Sequence, residues 1–185
     1  MFEKPGYRRL VLCSYVAALL LLMCGCHGRR GKSVVDLYVD AVMLNELQKH
    51  DEAVDNLDKA VEKNENFSLA YSLRGDIHQQ MGRYEESADS YQKASELNPW
   101  SFHDFFNLGK VYQTMKRFAR AVKAYVRACE LQPDHLQAHI NTAKCYSEIE
   151  QYDSALLYGQ RAEQINPDVV ELQEILGDIY ESKKD

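Results

Sequence analysis

FHDFFNLGKVYQTMKRFARAVKAYVRACELQPDH, residues 102–135, decides the reading of the whole chain. Apolar side chains recur in it at helical spacing twice, through Phe105, Leu108 and Tyr112 and again through Ala121, Ala124, Tyr125 and Ala128. Met115-Lys116-Arg117 separates the two stretches, and Pro133 closes the second. Two helices joined by a short turn cannot bury their common apolar face alone, so such a hairpin needs neighbours of its own kind.

The neighbours are there. Pro99, Pro133 and Pro167 stand 34 residues apart, as do Ala60, Ala94, Ala128 and Ala162. Ala41, Gly75, Gly109, Ala143 and Gly177, all small, share that period. Small residues belong where two helix backbones approach closely, with aromatics filling the space beside them. Proline cannot continue the helix before it and suits the start of the next. Four units follow, 34–67, 68–101, 102–135 and 136–169, and residues 170–185 begin a fifth. Phe105, Leu108, Gly109, Tyr112, Phe118, Ala121, Tyr125, Ala128 and Pro133 stand in the signature places of the tetratricopeptide repeat, which the chain resembles over 152 of its 185 residues. The expected fold is all-α, a solenoid of four helical hairpins with a C-terminal capping helix. In that helix Leu172, Ile175, Leu176 and Ile179 share one face, while Glu171, Glu174, Asp178 and Glu181 share the other. Some places depart from the pattern. Glu65 stands for proline, His50 for an aromatic, and Arg74, His78 and Thr142 for apolar residues. Gly159 replaces a large side chain, which predicts a loosely packed fourth unit.

Ahead of the repeats, Met1–Gly25 combines a basic head with the apolar run Leu10–Met23, the layout of a secretory signal. Met23-Cys24-Gly25-Cys26 resembles a bacterial lipobox, which implies a lipid on Cys26 and a short basic tether over 26–33. An uncleaved anchor and plain cleavage stay open as alternatives. The expected location is the bacterial cell envelope, with the repeats tethered to a membrane. Residues 34–185 carry 16 basic and 27 acidic side chains, a net of −11, which argues against nucleic acid as a partner. Among the units only the third is basic, at +3, and the first reaches −6. Lys116, Arg120, Lys123 and Arg127 are expected to form one stripe on its second helix, facing outward.

No glycine-rich phosphate loop, nucleophile elbow or paired-cysteine zinc spacing occurs, so no enzyme and no cofactor is implied. His135 and His139 stand four apart, but His139 occupies a packing place. Cys129 and Cys145 read as unpaired core residues. The family resemblance implies a groove lined by the first helices. Phe106, Asn107 and Lys110 fall there, and in the next unit Asn141 and Lys144 repeat the amide and the cation. Asparagine pairs both N–H and C=O of an extended backbone, and lysine adds preference for carboxylates. The chaperone-type carboxylate clamp is matched only in part, because Gln137 and Asn141 stand where its final basic pair belongs. The implied function is an adaptor that holds an extended protein segment, or else a structural subunit, either self-associating or built into an envelope complex.

Overall fold

The computed structural model describes residues 31–183, and all regular structure among them is α-helical. The signal, Cys26 and most of the tether lie outside the described residues. The helices are α1 (Val34–Glu46), α2 (His50–Lys63), α3 (Ser68–Gln80), α4 (Tyr84–Leu97), α5 (Phe102–Thr114), α6 (Phe118–Leu131), α7 (Leu136–Glu148), α8 (Tyr152–Ile165) and α9 (Val170–Ser182). Consecutive helices pair into hairpins, and the hairpins stack in chain order. The all-α solenoid expected from the 34-residue period is therefore the fold.

Within the two middle hairpins the small residue of the first helix receives a ring from the second. A Cβ on Gly75 would stand 2.8 Å from the Tyr91 ring, and one on Gly109 would stand 2.6 Å from the Tyr125 ring. Ala41 and Leu57, both fully buried, serve the same places in the first hairpin. The fourth reverses the order, with Ala143 on the first helix and Gly159 on the second. The expected looseness does not arise there. Leu176 of α9 places its Cδ2 2.5 Å from where a Gly159 Cβ would be, so the capping helix fills the space from outside. Leu172, Leu176 and Ile179 are buried against α7 and α8, and Lys183 pairs with Asp153 at 2.6 Å.

Each second helix ends the same way. The N–H groups of Asn64, Asn98, Gln132 and Asn166 bond to the carbonyls of Ala60, Ala94, Ala128 and Ala162. Proline follows three of these residues and restricts them to extended backbone, which ends the helix. Contrary to the expectation from the sequence, it does not open the next helix: Pro99 sits in the turn, and α5 starts at Phe102 with Ser101 as its cap. Glu65 stands in the proline place after α2, and there Asn64 Oδ1 accepts from Asn66 N–H at 3.1 Å, the same side-chain turn that Asn98 and Asn166 make ahead of Trp100 and Asp168.

Exposed ion pairs join successive hairpins, Arg83 to Asp51 at 3.1 Å and Arg117 to Glu85 at 3.0 Å. Each contributes little singly. Inside each hairpin, one residue of the turn adopts left-handed backbone: Gln48 (φ 62°), Gly82 (φ 71°), Lys116 (φ 56°) and Glu150 (φ 60°). Only glycine adopts that conformation without a Cβ penalty.

Two expectations follow. Lys116→Gly and Glu150→Gly should each raise stability in urea by about 0.5–1 kcal/mol, whereas Gly82→Ala should lower it by about 1 kcal/mol. Loss of stability in both glycine variants would contradict the turn geometry. Gly159→Tyr, which restores the repeat pattern, should nevertheless destabilise by about 1–3 kcal/mol, because the ring displaces Leu176. Limited proteolysis should then release α9 first, and a rise in melting temperature would refute this packing.

Candidate functional site

The first helices α1, α3, α5, α7 and α9 form the inner face of the stack, and side chains cross between them. From α3, Ser72 Oγ donates to Asp104 Oδ1 on α5 at 2.5 Å. His103 lies between two carboxylates, with Nδ1 3.3 Å from Asp104 and Nε2 3.3 Å from Asp76. Tyr91 donates its hydroxyl to the same Asp76 oxygen at 2.5 Å. Asp104 is 2% exposed, although its carboxylate serves Ser72 and His103 and its backbone N–H is capped by Ser101 Oγ. Burial pushes the Asp104 carboxyl up, and the hydrogen bonds from His103, Ser101 and Ser72 outweigh that and hold it below the usual range. The bonds to Asp104 and then Asp76 raise the His103 imidazole to about 10 against the opposing effect of burial.

Serine, histidine and aspartate thus converge, yet the arrangement is not a nucleophile with its base. At neutral pH His103 is an imidazolium and has no lone pair to accept a proton. Ser72 directs its hydroxyl proton to Asp104. The cluster is an ionic bridge between units two and three. Nothing in the 34-residue register signals it, because its partners stand 27 to 32 residues apart. Ser72 and Asp76 on one first helix with His103 and Asp104 on the next was the available clue.

The residues marked from the sequence divide into two groups. Phe106 stacks on Phe102 at 5.3 Å and meets His135 at 5.1 Å, forming an aromatic platform on α5. Lys110 is exposed, with Nζ 5.9 Å from the Phe106 ring centre. Asn107 is half-buried, its amide 2.9 Å from His103 Nε2. Phe106 is half-buried like Asn107, so of the three Lys110 is the exposed one. Asn141 is only 9% exposed. It donates to the Tyr125 hydroxyl at 3.2 Å and accepts from Gln137 at 2.9 Å. Lys144 is paired with Glu171 of α9. The two asparagines therefore do not offer equal rungs: Asn107 is half-buried beside His103, whereas Asn141 is buried and held by Gln137 and Tyr125.

On the outer face the expected four-residue stripe loses its first member. Lys116 is in the turn before α6, and only Arg120, Lys123 and Arg127 belong to that helix. Arg127 bonds to Glu130 at 2.8 Å and lies over Trp100 and Phe105. Cys129 and Cys145 are free and buried, and burial pushes the Cys145 thiol up to about 12. His135 caps α7 through Nδ1, while buried His139 bonds to the Pro133 carbonyl. Among the described residues no cluster of three metal-binding side chains occurs. His78 and His139 keep a buried, unpaired Nδ1, and burial lowers both imidazoles so that they stay neutral.

The bridge has a pH signature. His103 is raised in the fold, from 6.5 to about 10, so its contribution is complete below about pH 6.5 and lost as pH rises through about 10. The melting-temperature gap between wild type and His103→Gln should be widest near pH 6 and close by about pH 10.5. A gap that stays constant over this range would exclude the imidazolium bridge.

The likeness of this fold to known proteins is broad. A TPR protein, YrrB, whose crystal structure has an unusual peptide-binding site, is 22% identical, with 82% of this chain and 78% of that one covered and a TM-score of 0.76. MamA of Desulfovibrio magneticus, from residue 41 to its end, is 18% identical over 84% of this chain and 88% of that one, at 0.73. The first TPR of Spaghetti, bound to an HSP90 peptide, is 20% identical over 64% and 94%, at 0.59. At such identities the likeness is one of fold. No curated protein sequence matches. The family described as Psidin, N-terminal TPR repeats region, matches residues 40–163, more than half of the sequence. The chain belongs to that family of tetratricopeptide repeat proteins.

Proposed function

We propose that this chain is a membrane-tethered, non-catalytic scaffold that holds an extended segment of a partner protein on the inner face of unit three. The observation that carries the reading is the trio on α5, in which Lys110 is exposed and Phe106 and Asn107 are half-buried. Phe106, Asn107 and Lys110 lie within about one turn of α5, and Phe106 forms a platform with Phe102 one turn earlier and His135 at the start of α7. An aromatic platform takes an apolar side chain, the amide pairs with peptide backbone, and the cation attracts a carboxylate. Asn141 forms the adjoining wall, and a partner carboxylate competes with exposed Glu171 for Lys144. YrrB has an unusual peptide-binding site and the first TPR of Spaghetti is bound to an HSP90 peptide, which supports peptide binding by a fold of this kind.

The tether rests on sequence alone. A lipid on Cys26 would leave His27–Ser33 between membrane and α1, a span of at most ~25 Å. That places the repeats close to a bilayer of the bacterial cell envelope, and Arg29, Arg30 and Lys32 against its headgroups. Among the described residues no helix is long and apolar enough to cross a membrane. The net charge of −11 beyond the tether opposes nucleic acid. One observation favours a second reading, a structural subunit held permanently in a complex. Val35, Val39, Met43 and Leu47 of the α1 segment are exposed at successive steps of four.

A photo-crosslinking residue at position 110 should capture a partner from native membranes, and one at position 59 on α2 should not. Phe106→Ala with Asn107→Ala should weaken that partner's binding more than about tenfold without loss of helicity. Cys26→Ser should release the protein from membranes or leave an unprocessed precursor. Capture from position 59 alone would sink the groove assignment, and an unmodified Cys26 in the mature chain would sink lipidation. A concentration-independent oligomer of the purified protein would favour the structural subunit.

A further inference from the structure

A recess of about 410 Å³ opens on the outer face, where units two and three meet. Gln92 and Ser95 of α4, Phe105, Leu108 and Tyr112 of α5, and Arg120, Lys123 and Ala124 of α6 line it. The repeat register explains its position. At the junction of units one and two, the places of Gln92, Phe105, Leu108 and Ala124 hold Asp58, Tyr71, Arg74 and Ser90. There Arg74 lies across the space, donating to Asp58 at 2.6 Å and to Ser90 at 3.1 Å, with its guanidinium 5.0 Å from the centre of the Tyr71 ring. At the junction of units three and four, the place of Ala124 holds Tyr158. Its ring stacks on Tyr146 at 5.6 Å and meets His139 at 5.8 Å, which are the places of Tyr112 and Phe105. A long side chain of the protein itself thus fills this space at both neighbouring junctions. Between units two and three, leucine and alanine occupy the two filling places, and neither is long enough to span the gap.

The chemistry of the open recess is mixed. Phe105, Leu108 and Tyr112 give it an apolar floor, and Gln92 and Ser95 line the opposite wall. Arg120 and Lys123 are exposed cations at its rim, and Arg120 lies 5.8 Å over the Tyr112 ring. Among the described residues neither has a carboxylate within ion-pair distance, whereas Arg117 and Arg127 on the same unit are paired with Glu85 and Glu130. The unit is +3 in a body of −11, so the field here favours an anion where the rest of the surface repels one. Exposed Trp100 continues the apolar surface from Phe105, through the Arg127 guanidinium that lies over both rings. The volume lies within the ~300–1,000 Å³ usual for a binding pocket.

We propose that this recess is a second protein-binding site, which takes one aromatic or aliphatic side chain of a partner segment whose flanking residues are acidic. The side chain replaces the missing internal plug, and its carboxylates pair with Arg120 and Lys123. This site is separate from the groove of the inner face and uses none of its residues.

The probe is a fluorescein-labelled pentapeptide with one phenylalanine between two pairs of acidic residues, followed by fluorescence anisotropy. Wild type should bind it saturably, and alanine in place of the phenylalanine should weaken binding about tenfold or more. Ala124→Tyr copies the plug of the next junction and should also cost about tenfold or more, with helicity kept and melting temperature unchanged or higher. Arg120→Glu with Lys123→Glu alters exposed side chains only, and should abolish binding at low salt. Asn107→Ala should leave affinity unchanged. No saturable binding to wild type, or binding that survives both the plug and the charge reversal, would overturn the proposal. Binding lost in Asn107→Ala but kept in Ala124→Tyr would assign the peptide to the inner face and overturn it equally.

Discussion

A tyrosine ring pressed onto a bare glycine backbone is the contact on which the other features depend. Gly75 with Tyr91 and Gly109 with Tyr125 set how closely the two helices of each middle hairpin approach, since a single methyl group would collide with the ring. Each ring is fully buried, but its hydroxyl reaches through to the inner face. There Tyr91 donates to Asp76, and Tyr125 donates to Gln113 at 2.8 Å while accepting from Asn141. A buried hydroxyl without a partner would cost about 1–3 kcal/mol, so the ring's position in the core dictates where these polar groups must stand. Asp76 in turn holds His103, and His103 stands beside Asn107. The core contact and the surface chemistry are therefore one connected structure.

The terminal hairpins lack this link. Leu57 carries no hydroxyl, so α1 has no such bond to organise its inner face. Its outward residues Val35, Val39 and Met43 stay apolar and exposed. Unit four has no tyrosine at the lock, and Leu176 closes the space with methyl groups alone. Polar groups held in fixed geometry consequently concentrate in units two and three, where the lock supplies a hydroxyl. Lys110, the exposed cation of the groove, lies beside them on α5.

The repeat register, the helix pairs and the capping helix were legible because each follows from a spacing of 34. Contacts between units are a different matter. Ser72 with Asp104, and Asp76 with His103, cross between first helices at spacings that do not equal the period. Asn141 has the same place as Asn107 but a different role, because Gln137 and Tyr125 reach it and no groups of those kinds are bonded to Asn107. Gly159 signalled a void only while its hairpin was considered alone; the next helix supplied the missing volume. Lys116 fitted a stripe by spacing, but spacing along a helix means nothing across the turn that interrupts it. The outer recess could have been found in the sequence by comparing Arg74 with Leu108 and Tyr158 with Ala124. That requires asking which places have lost a filler, whereas a repeat pattern draws attention to what is shared.

Phe105 and Phe106 are neighbours in sequence with different surroundings, one lining the recess and the other stacked on Phe102. Successive residues on a helix point about 100° apart, so α5 can present both faces only because it lies between α4 and α6 outside and the open groove inside. A helix with its side chains is about 10–12 Å across. No short extended segment can occupy both sites at once, since it would have to pass over the edge of the stack. Two segments joined by a linker long enough to turn that edge would gain from effective concentration, and two separate partners would be brought together on one unit. In either case the shared helix is rigidly packed, so the sites act as neighbours with fixed geometry. That is the property the proposed scaffold needs, because it would order its partners by where it holds them.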